Sequence, residues 1–185
     1  MAQEKRKKIH PHKFTLWVAI ASILMMFAGL TSAYIVKKNQ ANWLTFDLPV
    51  ALYYSTAVIL LSSFTMWLSV KKFKERDMRA YKSLITATFA LGVIFVLLQA
   101  LGFVALAKTG LTLQKNVSVS FLYVIVCLHA LHVLGGVVAL MVIFIRAFSK
   151  KVKSYNAVPI EVMSTYWHFV DILWIYLLIF LIAVN

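Results

Sequence analysis

Residues 117–145 read VSVSFLYVIVCLHALHVLGGVVALMVIFI, a stretch of 29 residues that contains no Asp, Glu, Lys or Arg. A helix needs about 20 apolar residues to cross the hydrocarbon core of a bilayer, so this stretch can span the core and also tilt or emerge from it. It lacks the strict alternation of apolar and polar residues that marks a transmembrane β-strand. The stretch therefore predicts a membrane-spanning helix.

Four further apolar stretches place most of the 185 residues in the same environment. The chain is 62% hydrophobic and 14% charged, with a mean hydropathy of +0.85. A soluble domain is about half apolar and about a quarter charged, so the composition excludes an ordinary water-soluble globule and a disordered chain. The sequence predicts an all-α, polytopic membrane protein with five transmembrane helices, near residues 14–36, 50–70, 80–106, 117–145 and 162–184.

The basic residues predict the orientation of these helices. Fifteen of the nineteen Lys and Arg residues lie in the N-terminal tail or in the connections after the second and fourth spans. Cytoplasmic loops carry the excess of Lys and Arg, so we expect residues 1–13 to form a basic cytoplasmic tail. Residues 14–185 would then be the transmembrane domain, with the C-terminus outside. The four remaining basic residues are Lys37, Lys38, Lys108 and Lys115.

The net charge of +13 would suggest nucleic acid in a soluble protein, but here the charges lie in short loops. Such loops offer no shaped surface with aromatic side chains on which bases could stack. We therefore expect no nucleic-acid partner, and we assign the charges to orientation and to attraction by anionic lipid.

Three histidines and one acidic residue lie within the predicted spans. His129 and His132 are three residues apart in the fourth span and share one helix face, and His168 and Asp171 have the same spacing in the fifth. A short loop joins these two spans, so they are predicted to be antiparallel neighbours with a polar cluster near mid-membrane. Placing a carboxylate at that depth in the membrane costs free energy, so we expect Asp171 to have a functional or structural role.

Three interpretations of this cluster remain open from the residues alone. The histidines and Asp171 have the donor types of a zinc, iron or haem site, or they could form a proton path. Di-iron bundles, however, use several carboxylates, and only one lies in a span here. Interhelical hydrogen bonds worth about 1 kcal/mol or less are the interpretation that we favour.

Small residues predict close helix contacts. Gly29 with Ala33, and Gly135 with Ala139, have the small-xxx-small spacing that lets transmembrane helices approach each other. Cys127 is the only cysteine, so no disulfide is possible within the chain, and we expect it to be a small buried apolar residue.

The segment YWHFVDILW, residues 166–174, resembles the last-helix signature of subunit III of the haem-copper oxidases, the cytochrome c oxidase family. The segment HALHV, residues 129–133, with Gly136, resembles the His-Gly-Leu-His-Val stretch of that family, with Ala130 in place of glycine. Residues 27–34, 56–63 and 91–100 resemble three other helices of the family. The resemblance covers all five spans in order and points to the five-helix bacterial form rather than to the longer seven-helix form.

The resemblance implies a non-catalytic subunit of a respiratory cytochrome c oxidase in the bacterial plasma (inner) membrane. That complex reduces oxygen to water and moves protons. The chain would carry no redox cofactor and no metal; haem and copper would be held by partner subunits I and II. It would stabilise subunit I, bind phospholipid and support proton uptake. Its structural, subunit or lipid contacts would be His129, His132, Trp167, His168, Asp171 and Trp174. We expect His168 and Asp171 to hold the last two helices together, with His129 and His132 opposite.

Two positions depart from the family pattern, and several alternatives stay open. Ile23 and Gly102 occupy positions where family members often carry glutamate, so the resemblance does not extend to a carboxylate-based role in proton handling or oxygen access. The alternatives are the subunit III-like partner of a nitric oxide reductase or of a quinol oxidase, a free-standing haem or metal membrane enzyme, and a small transporter.

Overall fold

The computed structural model describes residues 11–38, 49–108, 117–148 and 157–184. It confirms an all-α chain with five helices, each long and apolar enough to span a membrane. They are α1 (Pro11–Lys38), α2 (Val50–Lys74), α3 (Met78–Lys108), α4 (Val117–Phe148) and α5 (Val158–Val184). Residues 1–10 of the predicted tail lie outside the described residues, as do Lys115, Lys150, Lys151 and Lys153.

The helices are longer than the apolar stretches that predicted them. α1 begins at Pro11 rather than near Phe14, and α5 begins at Val158 rather than near Val162. Hydropathy locates the part of a helix that lies in hydrocarbon, whereas backbone hydrogen bonding continues into the polar interface. Proline is tolerated in the first turn because its missing N–H has no helical partner there, and Pro11 and Pro159 both occupy such positions.

α2 and α3 form a tight antiparallel hairpin. Arg76 takes a left-handed conformation with φ of 62°, and the amides of Arg76 and Asp77 donate to the carbonyls of Phe73 and Lys72, both at 3.1 Å. These are the two hydrogen bonds of a Schellman motif, which ends a helix. The Asp77 carboxylate then accepts the Ala80 amide at 3.1 Å and caps the start of α3.

Four of the helices form a closed ring. α2 packs on α3, α3 on α4, α4 on α5, and α5 back on α2. α1 lies outside the ring, where it contacts α4 and α5. α5 therefore has three neighbours and buries eleven of its described residues, whereas α1 buries four.

α1 runs parallel to α5 and is attached along its length. Near the start of both helices the Lys13 ammonium pairs with the Glu161 carboxylate at 3.0 Å. Further along, the hydroxyls of Thr31 and Tyr176 are hydrogen-bonded at 3.1 Å. At the far end, Lys38 donates to a main-chain carbonyl of the last residue in α5. These polar links supplement a small apolar interface.

The alternating direction of the helices gathers most described basic residues at one end, which we call the basic end. This end contains the start of α1, α3 and α5 and the end of α2 and α4. The described basic residues there are Lys13, Lys71, Lys72, Lys74, Arg76, Arg79, Lys82 and Arg146, and those at the opposite end are Lys37, Lys38 and Lys108.

The centre of the ring is filled by the Trp167 indole, which is fully buried. A methyl group added at Gly92 would lie 2.9 Å from Cη2 of this ring, and one added at Gly136 would lie 3.1 Å from Cζ3. The prediction for Gly29 and Gly135 is wrong, because neither has a heavy atom of another element within 4 Å of such a methyl group. The glycines that admit close packing are those that face Trp167.

Adjacent glycines in α4 provide a matched test of this packing. We expect Gly136→Ala to lower the free energy of unfolding by about 1–3 kcal/mol, because the new methyl group overpacks the ring centre. Gly135→Ala points into open space and should be neutral, or stabilising by up to about 1 kcal/mol through helix propensity. Thermal unfolding in detergent measures both, and equal melting temperatures would contradict the assigned role of Trp167.

Candidate functional site

Two tryptophans of α5 lie one above the other at the centre of the bundle and are hydrogen-bonded to α2. Trp167 Nε1 donates to Ser62 Oγ at 3.1 Å, and Ser62 Oγ donates onward to the Thr88 carbonyl of α3 at 3.3 Å. These two hydrogen bonds join α5, α2 and α3 through the hydroxyl of Ser62. An indole N–H needs such a partner when it is buried.

Trp174 forms the second layer, two helical turns away. Its Nε1 donates to Thr56 Oγ1 of α2 at 2.9 Å, and its ring stacks on His129 of α4 with centroids 5.0 Å apart. The Phe95 ring of α3 is nearly perpendicular to both rings, with its centroid 5.6 Å from that of Trp174 and 6.1 Å from that of His129. The layer thus contains one side chain from each helix of the ring.

Phe27 extends this layer to α1. Its ring lies 6.3 Å from the His129 ring and 5.8 Å from the His132 ring, edge to face in both cases. His132 Nδ1 donates to the Leu128 carbonyl one turn earlier, at 2.6 Å. The His132 carbonyl in turn accepts the Tyr166 hydroxyl of α5 at 2.9 Å. His132 therefore joins α4 and α5 through its main chain.

His168 contacts a different helix from the one we expected. Its Nδ1 is hydrogen-bonded to Ser63 Oγ of α2 at 2.5 Å, so it holds α5 to α2 rather than to α4. The reason lies in the facing surface of α2, where the adjacent hydroxyls of Ser62 and Ser63 meet the adjacent side chains of Trp167 and His168.

Asp171 lies between the two tryptophans in α5 and is 2% exposed. Ser63 interacts with its carboxyl group, but within the described residues neither carboxyl oxygen has a hydrogen bond of normal geometry. The two ring nitrogens of His129, which is fully buried, also lack a hydrogen-bond partner there. Asp171 and His129 are therefore buried ionisable residues whose side-chain polar atoms accept or donate no hydrogen bond of normal geometry within the described residues.

The three histidines and Asp171 do not converge on one point. In the part of the chain that the structure describes, no group of three or more His, Cys, Asp or Glu side chains lies close enough to share a metal ion. His129 faces aromatic rings, His168 faces α2, and His132 binds its own helix. The hydrogen bond of His168 and the ring contacts of His129 join neighbouring helices.

Cys127 lies on the outer surface of α4 and is exposed, so the expectation that it is buried is wrong. The apolar surroundings of a transmembrane cysteine do not distinguish an inward face from an outward one, since lipid is as apolar as the core.

Sequence reasoning identified the α5 residues but not their partners on α2. The partners are the hydroxyls of Thr56, Ser62 and Ser63, and Thr56 lies six and seven residues before the other two, opposite the seven-residue spacing of Trp167 and Trp174. Seven residues are close to two helical turns, so these side chains form layers on facing surfaces. This spacing was the signal available in the sequence.

The fold and these contacts define a class: a polytopic helical membrane protein whose in-membrane polar side chains mainly hold its helices together. The family model of cytochrome c oxidase subunit III matches residues 39–183, which include the two tryptophan layers. The chain belongs to that family, and it is a subunit III of a haem-copper oxidase.

Named relatives span most of the chain. It is 34% identical to a probable cytochrome c oxidase subunit 3 of Mycobacterium tuberculosis over 163 residues, which are 85% of this chain and 80% of that protein. It is 32% identical to cytochrome c oxidase subunit 3 of Corynebacterium diphtheriae, over 88% of this chain and 82% of the relative. It is also 30% identical to a cytochrome bo(3) ubiquinol oxidase subunit 3 of Buchnera aphidicola, over 88% and 81%.

The link between Trp167 and Ser62 can be measured by a double-mutant cycle. We expect Trp167→Phe and Ser62→Ala to be coupled by about 0.6 kcal/mol, and by no more than about 1.7 kcal/mol, the range found for hydrogen bonds between transmembrane helices. The measurement is the free energy of unfolding of the two single variants and the double variant in lipid. Ser69→Ala, on the same face of α2 but with no partner among the described residues, should show no coupling to Trp167→Phe.

Proposed function

We propose that this chain is the non-catalytic subunit III of a bacterial cytochrome c oxidase, where it docks on the catalytic subunit I and stabilises it. The observation that carries the proposal is the similarity, over most of the chain, to relatives named cytochrome c oxidase subunit 3. The contacts support it, because Trp167, His168 and Trp174 all direct their polar atoms to α2 of the same chain.

Under this proposal the haem and copper of the complex are held by subunits I and II, and the chain contributes a rigid bundle and lipid contacts. The complex oxidises cytochrome c, reduces oxygen to water and moves protons, and subunit III supports proton uptake by subunit I. Six packing residues hold the helices in the arrangement that forms the docking surface: His129, His132, Trp167, His168, Asp171 and Trp174.

The test of assembly replaces Asp171 and compares what is recovered with the chain. Asp171→Ala leaves a cavity between α5 and α2, so we expect severalfold less subunit I with the tagged chain after mild detergent extraction. Asp171→Asn keeps the shape of the side chain and fills the same space, so it should assemble as the unaltered chain does. Quantitative mass spectrometry gives the ratio.

Ile172→Ala is the matched control, because Ile172 is 65% exposed on the outer face of the same helix. Its melting temperature as an isolated chain should be unchanged, so any loss of subunit I in this variant reports a contact of the outer face rather than a loss of core packing. The haem absorption bands of the recovered complex should be unchanged in all three variants. Altered bands in Asp171→Ala, or recovery of the unaltered chain alone and folded, would contradict a packing role in an oxidase.

We further propose that the basic end faces the cytoplasm and that the membrane is the bacterial inner membrane. The excess of Lys and Arg at that end supports this orientation. In a Cys127→Ser background, a membrane-impermeant maleimide should label Lys108→Cys in intact spheroplasts and label Arg79→Cys only after permeabilisation. The reverse pattern would invert the assignment.

A second candidate is subunit III of a quinol oxidase, which the relative in Buchnera aphidicola favours. The two candidates differ in the partner subunits and in the electron donor. Mass spectrometry of the recovered complex identifies the partners, and reduction of its haem by ferrocytochrome c or by a quinol identifies the donor.

A further inference from the structure

A stripe of polar side chains runs along α5 from the basic end to the middle of the bundle. Its members recur three or four residues apart, which places them on one side of the helix: Glu161, Ser164, Thr165, His168 and Asp171. Asp171 lies ten residues after Glu161, a rise of about 15 Å. The stripe therefore connects the basic end, where α5 begins, with the interior of the membrane.

The first half of the stripe forms the floor of a groove at the basic end. α1 and α2 both pack on α5 but make no contact with each other within the described residues, so they form the walls of the groove. The groove has a volume of about 460 Å³, and Glu161, Ser164 and Thr165 of α5 line it. A water molecule occupies about 30 Å³ in the liquid, so the groove has room for several waters.

His168 lies one helical turn beyond Ser164, where the groove ends. Its side chain is partly exposed, and its Nδ1 is hydrogen-bonded to Ser63 Oγ of α2 at 2.5 Å. The other ring nitrogen, Nε2, forms no hydrogen bond within the described residues. This nitrogen is therefore available to a water molecule that enters from the groove.

Ser63 lies between His168 and the Asp171 carboxyl group, with which its hydroxyl also interacts. Asp171 is 2% exposed, and within the described residues neither carboxyl oxygen has a hydrogen bond of normal geometry. A hydroxyl has one proton to donate and two lone pairs that accept. The Ser63 hydroxyl can therefore accept a proton from one neighbour while it gives its own proton to the other.

We propose that Asp171, Ser63 and His168 form a proton-binding site that exchanges its proton with water at the basic end. The proton arrives at Nε2 of the neutral His168 ring, the proton on Nδ1 passes to Ser63 Oγ, and the hydroxyl proton of Ser63 passes to the Asp171 carboxylate. His168 and Ser63 end neutral, and the carboxylate becomes a carboxylic acid. The site gains one proton and loses one negative charge, and release follows the same steps in reverse.

The surroundings of Asp171 leave this route open. α1, α2 and α4 pack on α5, and they present four titratable side chains to this half of it: Lys13, Lys74, His129 and His132. Both lysines pair with Glu161, and the two histidines stack on Trp174 or bond to their own helix. Among the described residues, none of the four pairs with Asp171. Chains of Asp and His side chains in a membrane are typical of proton relays.

Infrared spectroscopy tests the site, because a protonated carboxylic acid has a C=O stretching band that a carboxylate lacks. The complex recovered with the full, tagged chain is placed in dodecyl maltoside, a detergent without a carbonyl group, and compared with Asp171→Asn, the variant expected to assemble normally. The difference assigns the band of Asp171. We expect this band to shift in D2O and to decline as the pH of the medium rises.

Variants of two adjacent serines separate proton transfer from packing. After transfer to D2O, the band should shift about tenfold or more slowly in Ser63→Ala, and at close to the unaltered rate in Ser63→Thr, which keeps a hydroxyl. Ser62→Ala is the matched control, because it removes the neighbouring hydroxyl that is bonded to Trp167. It should lower the melting temperature without slowing the exchange.

The reactivity of cysteine tests entry from the basic end. In a Cys127→Ser background, a charged thiosulfonate should label His168→Cys in vesicles whose outer surface carries the basic end, and not in vesicles of the opposite orientation. Ile172→Cys is the control, because Ile172 is 65% exposed on the outer face of α5, where it meets lipid rather than water. It should be labelled about tenfold or more slowly, since a charged reagent does not enter the hydrocarbon.

Two outcomes overturn the site: an Asp171 band that is absent at every pH, or an exchange rate that is the same in Ser63→Ala and in the unaltered chain. Labelling of His168→Cys from the opposite end overturns entry through the groove. Failure of the proposed function is a different result, because the chain would then be recovered without a catalytic subunit. The infrared measurement would still be made on that chain, since every group of the site belongs to it.

Discussion

The structure depends on a bulky indole placed where four helices meet. Trp167 fits between α3 and α4 because both present glycine to it, at Gly92 and Gly136, and its N–H is satisfied by Ser62 of α2. In lipid there is no hydrophobic force that drives helices together, so close packing and hydrogen bonds must supply the association energy. One side chain here provides both, and it does so to three helices.

The second tryptophan, Trp174, combines ring packing and an indole hydrogen bond in the same way, about two helical turns along α5. Trp174 is bonded to Thr56 and stacked on His129, while Phe95 closes the far side. Trp167 and Trp174 are seven residues apart on α5, and their partners Ser62 and Thr56 are six residues apart on α2, so each pair meets about two helical turns from the other along the two antiparallel helices. These layers bring Thr56 and Ser62 of α2, the Thr88 carbonyl of α3 and His129 of α4 into contact with α5.

α1 differs from the other helices in having few buried residues and ion pairs or hydrogen bonds at its start, middle and end. Such a helix leaves much of its surface exposed and creates the groove beside α2. The four-helix ring thus contains the buried core, and α1 lies at its periphery. The outer faces of these helices are where a membrane subunit meets lipid and its partners.

The sequence by itself determined the number of helices, their order, and the shared end of the basic residues, because each depends on local composition and on the thickness of a bilayer. It also singled out His129 and Asp171 as polar residues within the spans, and the family resemblance pointed to Trp167 and Trp174. Only the tertiary structure decided the partners: His168 turned to Ser63 of α2, Gly92 and Gly136 rather than Gly29 and Gly135 faced the core, and Cys127 faced outward. Hydropathy is the same on the lipid side and the core side of a transmembrane helix, so the rotation of each helix about its axis is set only by packing against its neighbours.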